Sequence, residues 1–122
     1  MTDQRNTADL VRALYERYQA RDWSAAEELL DPGVHLRMPA TSEVLSGRDS
    51  VLRLQVDYPE PWGELSVLRV VGDGGSGAAV EVEITGLEQV FRCAAFWEAH
   101  EGRLYRGTEY WVTVGGEEPG PR

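Results

Sequence analysis

Three sets of residues in this chain have types and spacing suited to moving protons. Glu109 lies in the run Gly107-Thr108-Glu109-Tyr110-Trp111, His35 and Arg37 alternate along Val34-His35-Leu36-Arg37-Met38, and Glu81 and Glu83 alternate along Val80–Thr85. In an extended strand, alternation places Tyr105, Gly107, Glu109 and Trp111 on one face and Arg106, Thr108, Tyr110 and Val112 on the other. A carboxylate two residues from an indole is either a rim residue or a charge held in an apolar pocket. In a pocket its ionised form is disfavoured and its pKa rises, which makes a Glu useful as acid or base. His35 has a side chain suited to proton transfer, or it is hydrogen-bonded at a sheet end. Arg37 would orient a carbonyl, an oxyanion or a water, or pair with Glu109 or Glu83 and keep it ionised.

Glu83 is the better pocket candidate of its pair, because it lies farther from the glycine-rich turn; a solvated face is the plainer reading of both. Cys93 alternates with Phe91, Ala95 and Trp97. Such a cysteine is usually a small core hydrophobe, and it would need a base beside it to act as a nucleophile. Tyr15, Tyr18, Tyr58, Trp62, Trp97 and Trp111 read singly as core. Together, with Cys93 among them, they could wall an apolar cavity holding few polar groups, the usual make-up of a substrate-binding pocket. His35 and His100 are the only histidines, so a metal site would be mostly carboxylate and no metal is expected.

The elements that must position these groups can be read from the pattern. Thr7 caps a first helix to about Ala20, with Leu10, Val11, Leu14, Tyr15 and Tyr18 as its apolar stripe. A short second helix spans Trp23 to Leu30, capped by Ser24 or Asp22. Asp31-Pro32-Gly33 is a turn, Val34–Met38 a short strand, and a brief strand follows near Val44-Leu45. Asp49 or Ser50 caps a third helix to about Val56. Tyr58-Pro59-Glu60-Pro61-Trp62-Gly63 reads as a rigid loop that could edge a pocket mouth. Four strands follow, Leu65–Val71, Ala78–Thr85, Gln89–Ala99 and Arg103–Val114. The glycine-rich link 72–77 is a hairpin turn, since no helix follows it to make a phosphate loop. Helices first and then a run of antiparallel strands mean α+β. Residues 1–114 form one domain and 115–122 a disordered tail.

The 122 residues suffice for one core burying roughly two-thirds of the unfolded surface. Four Trp and five Tyr are too many for a disordered chain. No apolar run approaches the roughly 20 residues that cross a bilayer, and MTDQRNTADL lacks the basic flank and apolar core of a secretory signal. One cysteine excludes an internal disulfide. A net charge of −9 argues against nucleic acid as a partner and serves solubility. All 12 basic residues are Arg, a bias of high-GC codon usage, and a bacterial cytoplasm is the expected setting.

The order helix, helix, strand, helix and four long strands resembles the nuclear-transport-factor-2-like superfamily in its SnoaL-like branch, from about Thr7 to Thr113. The resemblance is carried by Ala20-Arg21-Asp22-Trp23, Asp31-Pro32-Gly33-Val34, Gly47-Arg48-Asp49, and the final hairpin Phe96-Trp97-Glu98…Glu101-Gly102-Arg103-Leu104…Glu109-Tyr110-Trp111. It implies a cone: three N-terminal helices on a strongly bent antiparallel sheet that encloses one deep pocket. Its members include ketosteroid isomerase, polyketide cyclases, limonene epoxide hydrolase, dehydratases and proteins that only bind or scaffold, so the fold places a site without naming its chemistry.

Similarity to limonene epoxide hydrolase sets His35 and Arg37 at the positions that hold its attacking water, and Glu109 at one of its two catalytic Asp positions. The other Asp and its Arg belong on Val80–Thr85, where no Arg or Asp occurs and Glu81/Glu83 or Glu83/Thr85 are the nearest equivalents. The resemblance therefore implies a cofactor-independent isomerase, cyclase, dehydratase or hydrolase acting on a small apolar or polycyclic molecule. Glu109 and His35 would be acid and base, with Arg37 and Glu83 assisting. It also implies a homodimer formed through the sheet. A non-catalytic binding module and a purely structural partner, its cavity filled by Trp97, Trp111 and Tyr15, stand as alternatives.

Overall fold

Leu10, Val11, Leu14, Tyr15 and Tyr18 recur at helical spacing, and in the computed structural model, which describes residues 6–58 and 62–116, all five are buried on one side of α1 (Thr7–Gln19). The helix is capped one residue earlier than the sequence suggests. Asn6 Oδ1 accepts the Asp9 N–H at 2.8 Å, while the Thr7 hydroxyl donates to the Gly75 carbonyl at 2.9 Å and ties α1 to a distant turn. Asp22 caps the short α2 (Trp23–Glu27) by accepting from Ala25 N–H.

The chain then runs through β1 (Leu30–Met38), β2 (Glu43–Ser46), α3 (Arg48–Val56), β3 (Glu64–Gly72), β4 (Gly77–Thr85), β5 (Phe91–His100) and β6 (Arg103–Thr113). The first strand starts before the Asp31-Pro32-Gly33 turn, because Leu30 already pairs with Leu104. Asp31 Oδ1 takes the Gly33 N–H at 2.8 Å, and the register shifts across that turn before pairing resumes at His35. α3 begins at Gly47 with φ 92°, without the side-chain cap expected from Asp49 or Ser50. In the Pro-rich loop, Pro59, Glu60 and Pro61 lie outside the described residues, as do residues 117–122 of the expected tail.

The six strands form one open sheet in the order β2-β1-β6-β5-β4-β3. Every neighbouring pair is antiparallel except β1 and β6, which run parallel, so the sheet is mixed. A parallel pair needs a long crossover, and here β2, α3, β3, β4 and β5 all lie between the two strands. Register shifts interrupt β3/β4 at Val67/Arg69 and β5/β6 at Glu98/Ala99; bulges of this kind bend and twist the strands that carry them. Glu101 and Gly102 join β5 to β6 with φ of 51° and 79°, the two positive angles of a tight hairpin turn.

One face of the sheet is covered by the helices. Val34 and Leu36, Val80 and Val82, Cys93, Ala95 and Trp97, and Leu104 point toward α1 and α3 and are buried. Gly107 stands opposite Trp97. A Cβ on Gly107 would meet the Trp97 ring at 2.6 Å, so the missing side chain is the space the indole occupies.

Candidate functional site

Four side chains from three elements meet on the inner face. Tyr15 comes from α1, Trp97 from β5, and Glu109 and Trp111 from β6. The Trp97 N–H donates to the Tyr15 oxygen at 3.0 Å, and the Tyr15 hydroxyl donates to Glu109 Oε2 at 2.6 Å. The Trp111 N–H donates to Glu109 Oε1 at 3.1 Å. Glu109 is 3% exposed. Its inward position depends on the β6 bulge: Leu104 and Gly107 both point inward although three residues apart, and Tyr105 leaves that face. The Tyr105 hydroxyl donates instead to the exposed Glu98 at 2.9 Å.

Burial raises the Glu109 pKa above the ordinary glutamate value, and the hydrogen bonds from Tyr15 and Trp111 pull it back in part. Among the described residues no cationic side chain pairs with it. Burial, and then the Glu109 charge, push the Tyr15 and Tyr18 hydroxyls upward, so both remain protonated donors. The same two causes raise the Cys93 thiol, which makes it a poor nucleophile.

Beside Glu109 opens a cavity of about 310 Å³. Tyr15, Tyr18, Tyr58, Trp62 and Trp111 line it, as the aromatic pattern suggests. Trp97 and Cys93 do not: both are packed in the core, with Trp97 acting through Tyr15. Tyr15, Trp97 and Trp111 therefore meet around Glu109 without filling the space. The sequence reading missed Phe91, Ile84 and Leu65 on the strands, Leu54 and Gln55 on α3, and Met38, Thr41 and Glu43 after β1. Met38 shares the buried alternation of Val34 and Leu36 and was legible in principle; the α3 residues lie on a weakly patterned helix and were not.

His35 and Arg37 stand elsewhere. The core claims Val34, Leu36 and Met38, so strand alternation turns both outward, where they are exposed. His35 Nδ1 lies 3.2 Å from the Ser46 hydroxyl on the outer face. Glu83 is also on that face, held by Arg92 with Nε and a terminal nitrogen each 2.9 Å from Oε2. Val80, Val82 and Ile84 take the inner positions of its strand, so neither Glu83 nor Arg37 reaches Glu109. Of the four expected acid, base and assisting residues, only Glu109 lies at the cavity. No group of three or more His, Cys, Asp or Glu side chains placed for a metal occurs among the described residues. None of the described helices is long and apolar enough to cross a membrane.

The SnoaL-like domain model matches residues 11–107. The chain belongs to the SnoaL-like family. A candidate ketosteroid isomerase from Kribbella flavida DSM 17836 is similar over 100% of this chain and 87% of its own, with 34% identity and a TM-score of 0.88. Two more distant structures share the fold. One is a nuclear-transport-factor-2-like protein from Burkholderia xenovorans LB400, with 19% identity, TM-score 0.78, and 93% and 85% of the two chains covered. The other is a limonene-epoxide-hydrolase-like epoxide hydrolase of Mycobacterium tuberculosis, with 18% identity, TM-score 0.73, and 87% and 82% covered. No curated protein matches the chain. This SnoaL-like chain is thus a pocket protein of the nuclear-transport-factor-2-like fold, with helices packed on one side of an open mixed sheet.

Proposed function

We propose that this SnoaL-like protein is a cofactor-independent enzyme of the bacterial cytoplasm that transfers protons on a small, largely apolar molecule, in the manner of an isomerase, cyclase, dehydratase or hydrolase. One observation carries the reading: Glu109 is buried, has no cationic partner among the described residues, and borders open volume. Such a carboxyl is tuned toward neutral pH and can take or give a proton at a bound carbon or oxygen. Tyr18 supports it. The residue is buried and lines the cavity, and its hydroxyl has no hydrogen-bond partner among the described residues, so it is the donor available to a developing oxyanion. Tyr15 and Trp111 position Glu109, and bound water could complete the relay.

The test is solvent-deuterium exchange into a set of small cyclic ketones and enones, followed by NMR. Glu109→Gln is expected to slow exchange by about 100-fold or more and Tyr18→Phe by about 10-fold. Exchange no faster with the wild-type protein than with Glu109→Gln sinks the catalytic reading.

The outer face supports the expected homodimer. Phe96 and Tyr110 pack edge to face at 6.2 Å, and with Val112 they are exposed at the centre of the sheet. A contiguous apolar patch rimmed by charges such as the Arg92–Glu83 pair is the usual make-up of an interface. Sedimentation of the wild type as a dimer and of Phe96→Glu as a monomer is the expected result; a monomeric wild type removes this part of the proposal.

A further inference from the structure

Among the described residues the lining of the cavity contains two carboxylates, Glu109 and Glu43, and no Arg or His. Glu109 meets only neutral donors, the Tyr15 hydroxyl and the Trp111 N–H. Two neutral hydrogen bonds offset part of the cost of ionising a buried carboxylate, and an adjacent cation would offset the rest. Among the described residues the protein does not supply that cation.

The walls suit one. Tyr18, Tyr58, Trp62, Phe91 and Trp111 surround the space, and aromatic rings attract cations most strongly where water is excluded. Trp62 already does so: the Arg21 guanidinium carbon lies 3.9 Å from its ring centroid. The Tyr18 oxygen, with no partner among the described residues, can accept a hydrogen bond from an N–H or O–H of an occupant. At about 310 Å³ the space is at the small end for a ligand pocket.

We propose that the occupant is a compact organic ammonium ion, its nitrogen beside Glu109 and its carbon substituents against the rings of Tyr18, Trp62 and Trp111. This rests on the reading of the cavity as a ligand site and names the class of molecule it takes. A neutral ketone of the same shape would leave the carboxylate charge unopposed. A carboxylate ligand would meet Glu109 and Glu43 as like charges, so the site selects against anions as well as for cations.

Calorimetric titration of the full chain with choline and with 3,3-dimethyl-1-butanol, its neutral carbon isostere, tests the charge preference at constant shape. Choline is expected to bind at least about 10-fold more tightly, through the attraction of its charge to the Glu109 carboxylate. Glu109→Gln, with its folding checked by near-UV circular dichroism, is expected to remove that preference and leave the isostere within about twofold. Equal or tighter binding of the isostere to the wild type overturns the proposal, and so does binding of neither. Failure here is separable from failure of the catalytic reading. Ketone exchange without choline preference removes the ammonium ligand alone; choline preference without exchange on any ketone removes the catalysis alone.

Discussion

The Tyr15 hydroxyl and Glu109 Oε2 meet at 2.6 Å although 94 positions separate them in the chain. Closing that distance requires α1 to lie across the inner face of β5 and β6, so the bond exists only in the assembled core. It is also one link of a directed chain: Trp97 donates to Tyr15, and Tyr15 donates to Glu109. The chain fixes the carboxyl against the wall and leaves its surroundings otherwise apolar, combining the rigidity and the raised pKa that a general acid or base requires.

Tyr15→Phe should therefore act twice. It leaves the buried Trp97 N–H without its acceptor, which costs about 1–3 kcal/mol of stability. It also removes a hydrogen bond that lowers the Glu109 pKa, so that pKa should rise further. Denaturant unfolding measures the first effect, and the acid limb of the deuterium-exchange rate, moved to higher pH, measures the second. An unmoved limb would show that Tyr15 packs the core without tuning Glu109.

Glu109 also sets a sign for stability against pH. Its folded pKa lies above the ordinary value of 4.5. Below that value both folded and unfolded states hold the proton, and the contribution of this group is fully present. As pH rises through the folded pKa, the unfolded state has already released its proton and stability is lost. Glu109→Gln cannot titrate, so its stability relative to wild type should improve between pH 4.5 and the raised pKa, by about 1.4 kcal/mol for each unit of elevation. Paired urea titrations across that window measure the difference; a difference independent of pH would mean that the Glu109 pKa is not raised.

Gly107→Ala tests the support beneath the network. The added methyl would stand 2.6 Å from the Trp97 ring, and Trp97 is itself buried in the core. A loss of about 1–3 kcal/mol is expected from overpacking, with a changed near-UV signal from the displaced indole. Unaltered stability would show that the ring shifts freely.

Much of this arrangement was legible in the sequence because it follows strand period. Glu109 and Trp111 share a face with Gly107, and Tyr15 and Tyr18 share the buried stripe of α1, so their convergence follows from the order of elements. Tyr105 was misplaced because a bulge, which adds one residue without a distinctive sequence, resets the alternation between Leu104 and Gly107. His35, Arg37 and Glu83 were misplaced for another reason. Alternation divides a strand into two faces without saying which is inward, and polar residues were assigned to the pocket where the core had claimed their apolar neighbours. The parallel β1–β6 pair was invisible because no local pattern encodes the partner of a strand.

The outward position of those three residues gives the last prediction. His35 is exposed and near Ser46, Arg37 is exposed, and Glu83 forms a half-solvated pair with Arg92. An exposed ion pair contributes about 0.2–1 kcal/mol, and none of the three borders the cavity. His35→Ala, Arg37→Ala and Glu83→Gln should each leave choline affinity and ketone exchange within about twofold of wild type, with stability changed by no more than about 1 kcal/mol. A 10-fold loss on Arg37→Ala, in protein that remains folded, would move the chemistry to the outer face and away from Glu109.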